Sequence, residues 1–334
     1  MKKFLHFLKS KSKFILGLGI SALFIWILLG KFDKEEFLRL WSRVSTEYVL
    51  LAMFTQIIGS SLFSVRWYYL LQRKLKLKHS LSSTFIGYGA NMVLPARGGD
   101  IFRIFYCRSE AGVASFNLLT KLFIEKVIDF ILVIIAGIGA FLFIGMEKSK
   151  ASPSTIFTFS GIVVSGILIA LFLFRYQNDF LRSILLKLFK LIKKEEVYLH
   201  HIDLQLKELG EFLKFENLFL PLLTSLPMWI VYFTTYYIGN QMLSLGLTPV
   251  EIIFILFCGA MSLAVPSAPS GIGVFHASIY TAFLIIGKNG NEGLVYATAM
   301  HLIPFVTFTG IGLLFYIYWL YRRRHSGKTT LEDS

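Results

Sequence analysis

The chain lacks almost everything that a soluble enzyme displays. Its two cysteines, Cys107 and Cys258, lie alone on apolar segments. Neither belongs to a CxxC, so both read as packing residues. No GxxxxGK(S/T) loop and no zinc-ligand spacing occurs, and Gly17-x-Gly19 is a pair of the kind common in membrane helices. His200-His201 has no third ligand nearby and reads as a solvated surface pair. Long polar stretches are missing too: the longest, from about Arg175 to Glu216, leaves no room for a separate globular enzyme domain of typical size. Acidic residues are few, 20 against 34 Lys and Arg. The net charge of +14 would suit nucleic acid, but the basic residues sit beside apolar spans. There they read as topology signals and contacts with anionic lipid. The expectation is therefore a non-enzyme with no cofactor, no metal and no nucleic-acid partner.

What the chain has in excess is apolar surface. It is 55% hydrophobic and 16% aromatic, with mean hydropathy +0.64, which marks an integral membrane protein. The N-terminus is basic and then apolar, without a convincing small-residue cleavage site after Leu29, so it reads as an uncleaved anchor. Full spans are expected at Phe14–Gly30, Tyr48–Leu71, Phe116–Gly145, Thr155–Phe174, Asn217–Ser244 and Leu294–Tyr321, with Arg66 close enough to one end to snorkel. Leu81–Leu94, Ile252–Val265 and Val274–Gly287 have only fourteen residues each. That is about 21 Å of helix, against a hydrocarbon core of roughly 30 Å.

Lys and Arg set the sidedness. Clusters at Lys2–Lys13, Arg73–Lys78, Arg175–Lys214 and Arg322–Lys328 alternate with loops that carry far fewer. The pattern is positive-inside, with both termini cytoplasmic in the inner membrane. It holds only if each short segment returns to the side from which it entered. The expected fold is an all-α polytopic membrane protein, one domain over 1–334, built as an inverted repeat of two spans, a re-entrant hairpin and one span. The repeats cover approximately 13–146 and 154–322. That makes six full spans plus two re-entrant helical hairpins, about eight apolar segments by hydropathy. Residues 176–216 read as a cytoplasmic amphipathic linker.

Each hairpin breaks at Pro and Gly: Asn91-Met-Val-Leu-Pro-Ala-Arg-Gly-Gly-Asp100 in the first, and Pro266-Ser-Ala-Pro-Ser-Gly-Ile-Gly273 in the second. Pro95, Gly98, Gly99, Pro266, Pro269, Gly271 and Gly273 are the expected hinge positions. Irregular backbone at membrane depth is tolerated only inside protein or along a water-filled cavity. In the first break Asp100 is placed to cap the following helix, while Arg97 and Arg103 are able to converge on one region. Guanidinium groups suit phosphate, so the functional reading is an anionic-headgroup site. The alternative is that both arginines merely pair with nearby carboxylates. Lys121, Glu125 and Asp129 recur every four residues with Lys126 beside them, a stripe that must face the interior. Its acids either hold the arginines, or recognise a cationic headgroup or relay protons, with the first favoured. Thr248-Pro-Val-Glu251 reads as a capped helix start. The substrate-contacting set is Asn91, Arg97, Asp100, Arg103, Glu125, Lys126, Asp129, Ser270 and His276. His276 reads as a packed residue with a coupling role open to it.

At these motifs the chain resembles the lysylphosphatidylglycerol synthase transmembrane-region family, also described as flippase-like membrane proteins. The resemblance covers nearly the whole chain. It rests on Asn91-x-x-Leu94-Pro95-x-Arg97-x-Gly99-Asp100-x-x-Arg103, on Glu125-Lys126-x-x-Asp129, and on Pro266-x-x-Pro269-x-Gly271-x-Gly273. The family commonly shows Glu-Arg at Glu125-Lys126 and often Glu at His276. In its best-known members this region flips aminoacylated phosphatidylglycerol that a separate cytosolic domain makes. Here the chain ends thirteen residues after Tyr321, so the resemblance implies a stand-alone lipid translocase rather than a synthase. The expected partners are membrane lipids with an anionic headgroup, together with a second copy of the chain or a separate lipid-modifying enzyme. The rival functions are a membrane-embedded glycosyl- or aminoacyl-transferase and a lipid-binding accessory subunit.

Overall fold

The structure, a computed structural model, describes residues 17–94, 97–148, 210–211, 214–263, 265 and 267–325. The expected span Thr155–Phe174, most of the 176–216 linker, His200-His201, Pro95 and Pro266 lie outside the described residues. Among the described residues the chain is helical and without strands. The helices are α1 (Gly17–Leu29), α2 (Lys34–Trp41), α3 (Thr46–Leu70), α4 (Leu77–Val93), α5 (Gly98–Ala111), α6 (Ser115–Lys148), α7 (Phe215–Leu243), α8 (Pro249–Ser262), α9 (Val274–Ile285) and α10 (Gly290–His325). Four of them, α3, α6, α7 and α10, are long and apolar enough to cross a membrane.

Local chemistry sets the ends. Asp33 accepts the Glu36 amide at 3.0 Å and starts α2. At α8 the Thr248 hydroxyl accepts the Glu251 amide at 3.3 Å, and the Glu251 carboxylate accepts the Thr248 amide at 2.9 Å. Pro249 occupies the first turn, where its missing N–H costs nothing. One boundary differs from expectation. The helix α4 begins four residues earlier than the apolar run, because His79 and Ser80 are buried in protein rather than left in water. The Ser80 hydroxyl donates to the Ser64 carbonyl at 2.6 Å. At roughly 26 Å, α4 still falls short of the bilayer core.

The helices pack in a definite order. The long helices α3 and α7 lie along one another. The arms α4 and α5 form one hairpin, α8 and α9 the other. The arm α4 packs on α10, and α8 packs on α6. The crossing of α4 and α10 is close because it is glycine on glycine: a Cβ on Gly312 would lie 2.6 Å from the Phe85 carbonyl oxygen and 2.9 Å from the Gly89 Cα. The helix α10 starts at the end of the bundle where Glu36 accepts from Asn289 and Asn291. It finishes beside the base of the α4–α5 hairpin, where Arg322 and Trp319 donate to Glu110 at 3.0 and 2.9 Å.

Candidate functional site

Below the first break stand three cations and three carboxylates, Arg66, Arg103 and Lys126 with Asp100, Glu125 and Asp129. Helical spacing on α6 puts Glu125 and Asp129 one turn apart, facing α3 and α5. The Arg103 guanidinium makes a two-pronged contact to Glu125, with Nη1 to Oε1 at 3.1 Å and Nη2 to Oε2. These two side chains are 1% and 0% exposed, so they are held by one another and turned away from any open space. The guanidinium also lies flat on Trp67, 3.7 Å from the ring centre. Lys126 adds a third contact to Glu125 at 3.0 Å and stands 3.9 Å from Asp100.

Arg66 does not snorkel. It is fully buried, donates to both Asp129 oxygens at 2.6 and 2.8 Å, and reaches Ser225 of α7 at 3.2 Å. The apolar run around it concealed this, but the sequence held a signal. Gln56, Ser60 and Ser64 repeat every four residues along the same helix, which marks a face turned inward. Asp100 does not cap α5 either. Arg97 is the N-cap, and the Asn91 side chain does the capping from α4, accepting the Gly99 amide at 2.8 Å. The Asn91 Nδ2 donates to Asp100 Oδ1 at 3.2 Å. The hairpin brings Asn91 across, and a local rule for caps has no access to that partner.

Arg97 behaves differently from Arg103. It is exposed, with its backbone in the left-handed region at φ 55°. Its Nη2 donates to the Leu263 carbonyl at 3.1 Å, one of the orphan acceptors at the end of α8. A guanidinium has five N–H donors, so most of them face outward. Ser270, at φ 59°, is a non-glycine left-handed residue in the second break, and its hydroxyl lies 3.4 Å from the Met92 sulfur. Such conformations cost roughly 1–3 kcal/mol each and gather where a structure over-determines them. The two broken segments therefore touch at two points. The helix α1 seals the second break, with Ser21 Oγ accepting the Ala268 amide at 2.8 Å.

His276, in the first turn of α9, is not alone. Its ring stands 5.2 Å from that of His301 on α10, and Phe275 flanks both at 6.0 and 5.8 Å. His301 was invisible as a partner because twenty-five residues separate the two. Both cysteines are free thiols in packed surroundings, as expected, and Cys107 accepts from Trp67 Nε1 at 3.5 Å.

At the base of the hairpin, Glu110 of α5, a helix outside the four candidate spans, gathers Trp319 and Arg322 of α10 and His79 of α4. Burial pushes its carboxyl up, yet Trp319, His79 and Arg322 together hold it below its ordinary value.

The chain matches the family described as "Lysylphosphatidylglycerol synthase TM region" over residues 14–312. It is also 26% identical over 160 residues to a UPF0104 membrane protein of Methanocaldococcus jannaschii. That alignment covers 45% of this chain and 48% of the relative, so the chain spans about half the length of the curated relative it matches. No solved structure matches.

Proposed function

We propose that this chain, which belongs to the lysylphosphatidylglycerol synthase TM region family and is a multi-pass membrane protein, is a lipid translocase. It moves a lipid with a polar or anionic headgroup, such as an aminoacylated phospholipid or a lipid-linked intermediate, across the cytoplasmic membrane. The headgroup crosses at the junction of the broken segments while its tails stay in lipid. One observation carries the reading: the exposed Arg97 guanidinium sits where the two breaks touch, on the Leu263 carbonyl. Arg66, Arg103 and Lys126 are matched by Asp129, Glu125 and Asp100, so among these four cations at the first break Arg97 is the one placed to meet a phosphate. The same matching supports a carrier over a transferase, because each of these three carboxylates is engaged by a cation rather than poised as a general base.

Arg97→Ala should lower the flipping rate of fluorescent phosphatidylglycerol in proteoliposomes by about tenfold or more, the loss of one charge-assisted contact. Thermal stability should stay near that of the parent. Arg97→Lys should rescue poorly, because an ammonium lacks the fork. Parental flipping by a well-folded Arg97→Ala variant would end this assignment.

The inverted repeat belongs to the same reading, and the packing supports it. If α3, α4, α5 and α6 correspond to α7, α8, α9 and α10, then α4 on α10 is the counterpart of α8 on α6. The α3–α7 pair then lies on the pseudo-symmetry axis. Six spans with both termini cytoplasmic follow from the basic loops. With Cys107 and Cys258 removed, cysteines at Lys76 and Arg324 should be shielded from an impermeant thiol reagent in intact cells, while those at Glu36 and Asn289 react. Labelling of Lys76 and Glu36 positions from the same side would overturn it.

A further inference from the structure

His276 Nδ1 and His301 Nε2 are buried and have no hydrogen-bond partner among the described residues. Such orphaned polar atoms cost about 1–3 kcal/mol each, so a pair of them side by side calls for a ligand. His301 is 8% exposed. His276 belongs to the first turn of α9, where the amides of Val274, Phe275 and His276 find no acceptor among the described residues. That turn is an anion-favouring pole. It is also continuous with the break. A Cβ on Gly271 would lie 3.2 Å from the Leu263 side chain and 4.0 Å from Phe275, and the Leu263 carbonyl carries Arg97.

No carboxylate, lysine or arginine among the described residues forms an ion pair with either ring. The neighbouring helices carry carboxylates in their first turns, Glu251 on α8 and Glu292 on α10. The helix α8 brings Cys258, whose carbonyl accepts from Ser278 of α9. From α7 comes Tyr236, whose hydroxyl closes on Gly259 alongside Phe275. The arm α4 brings Tyr88 against Phe308 of α10, and α1 brings Ser21 and Ile25 to Gly273. Glu36 of α2 meets α10 at Asn289 and Asn291, roughly three turns from His301.

We propose that His276 and His301 form a proton-linked subsite for the phosphate of the lipid headgroup, so that anion and proton enter the bundle together. This rests on the translocase reading. A neutral imidazole offers one donor and one acceptor. Adding one proton raises the pair's N–H donors from two to three, so more of them can meet a phosphate oxygen. A lone imidazolium or a lone phosphate is costly at this depth; together they neutralise one another. Protonation gains a cation for the anion to meet, so affinity rises as pH falls.

The test uses the full chain in phosphatidylcholine nanodiscs, with fluorescent phosphatidylglycerol as the probe. Wild-type binding should tighten by about tenfold between roughly pH 8 and pH 5.5. His276→Gln and His301→Gln should flatten that dependence, bringing the ratio of affinities at the two pH values near one, while Arg97→Gln weakens binding at both ends and keeps the ratio. Wild-type binding that is equal at both pH values overturns the histidine subsite and leaves the translocase reading standing; no binding at either overturns both. Competition by millimolar inorganic phosphate would support the phosphate subsite and overturn a lipid-only specificity, whereas its failure to compete supports the lipid as source. If the glutamine variants fail to fold, histidine 15N NMR of the wild type decides. A new imidazolium signal on loading phosphatidylglycerol at low pH supports the proposal, and rings unchanged by the lipid refute it.

Discussion

Arg103→Ala should destabilise the folded protein by about 3–5 kcal/mol, the ordinary cost of leaving one member of a buried ion pair without its partner. Glu125 is fully buried, and its two oxygens face the Arg103 fork. Removing the guanidinium leaves that charge with Lys126 alone, at 3.0 Å, and strips the cover from Trp67. The variant should melt well below the parent in detergent and accumulate poorly. The double substitution Arg103→Met, Glu125→Leu should recover most of the stability, because an apolar pair of similar volume removes both desolvation penalties. Arg97→Ala should leave the melting temperature near the parent's. A parental melting temperature for Arg103→Ala, or equal instability for Arg97→Ala, would contradict the division of labour between the two arginines.

Gly99→Val should cost about 2–4 kcal/mol and abolish flipping together with it. A Cβ at Gly99 would collide with the Gly87 carbonyl oxygen and come within 2.5 Å of the Asn91 amide nitrogen and 2.7 Å of its side-chain oxygen. These are backbone and capping atoms, so no rotamer change relieves the clash, and overpacking alone costs about 1–3 kcal/mol. Separating the arms also breaks the Asn91 cap on the Gly99 amide, worth about 1 kcal/mol. The control is Gly139→Ala on α6, where nothing lies within 4 Å of the new methyl; it should be neutral or slightly stabilising. Thermal melts of the purified variants provide the comparison. A Gly99→Val protein that melts with the parent would mean that the hairpin arms are not in contact as described.

Both predictions rest on features with different visibility in the sequence. The broken hairpins, the capped start of α8 and the stripe of Glu125 and Asp129 were legible, because each is written in neighbouring residues. Hydropathy reports where a chain leaves water. Pro and Gly report where a helix must stop. Spacing by four reports a shared face. That the stripe's acids serve to hold arginines was also the favoured reading.

Composition and charge order alone therefore determined an all-helical membrane protein with two interrupted segments, and the interruptions singled out Arg97 and Arg103. Only the tertiary structure separated the two. Arg103 lies one turn into α5, which carries it under the hairpin onto Glu125 and Trp67. Arg97 stays at the break and meets α8 across the bundle. The fold likewise withdrew Arg66 from the lipid boundary, gave Asn91 the cap that Asp100 was expected to provide, and set His301 against His276. Each of these depends on a partner many residues away. The side-chain types are local, but whether a charge is paired, and so whether it is free to meet a ligand, is decided by which distant helix packs beside it.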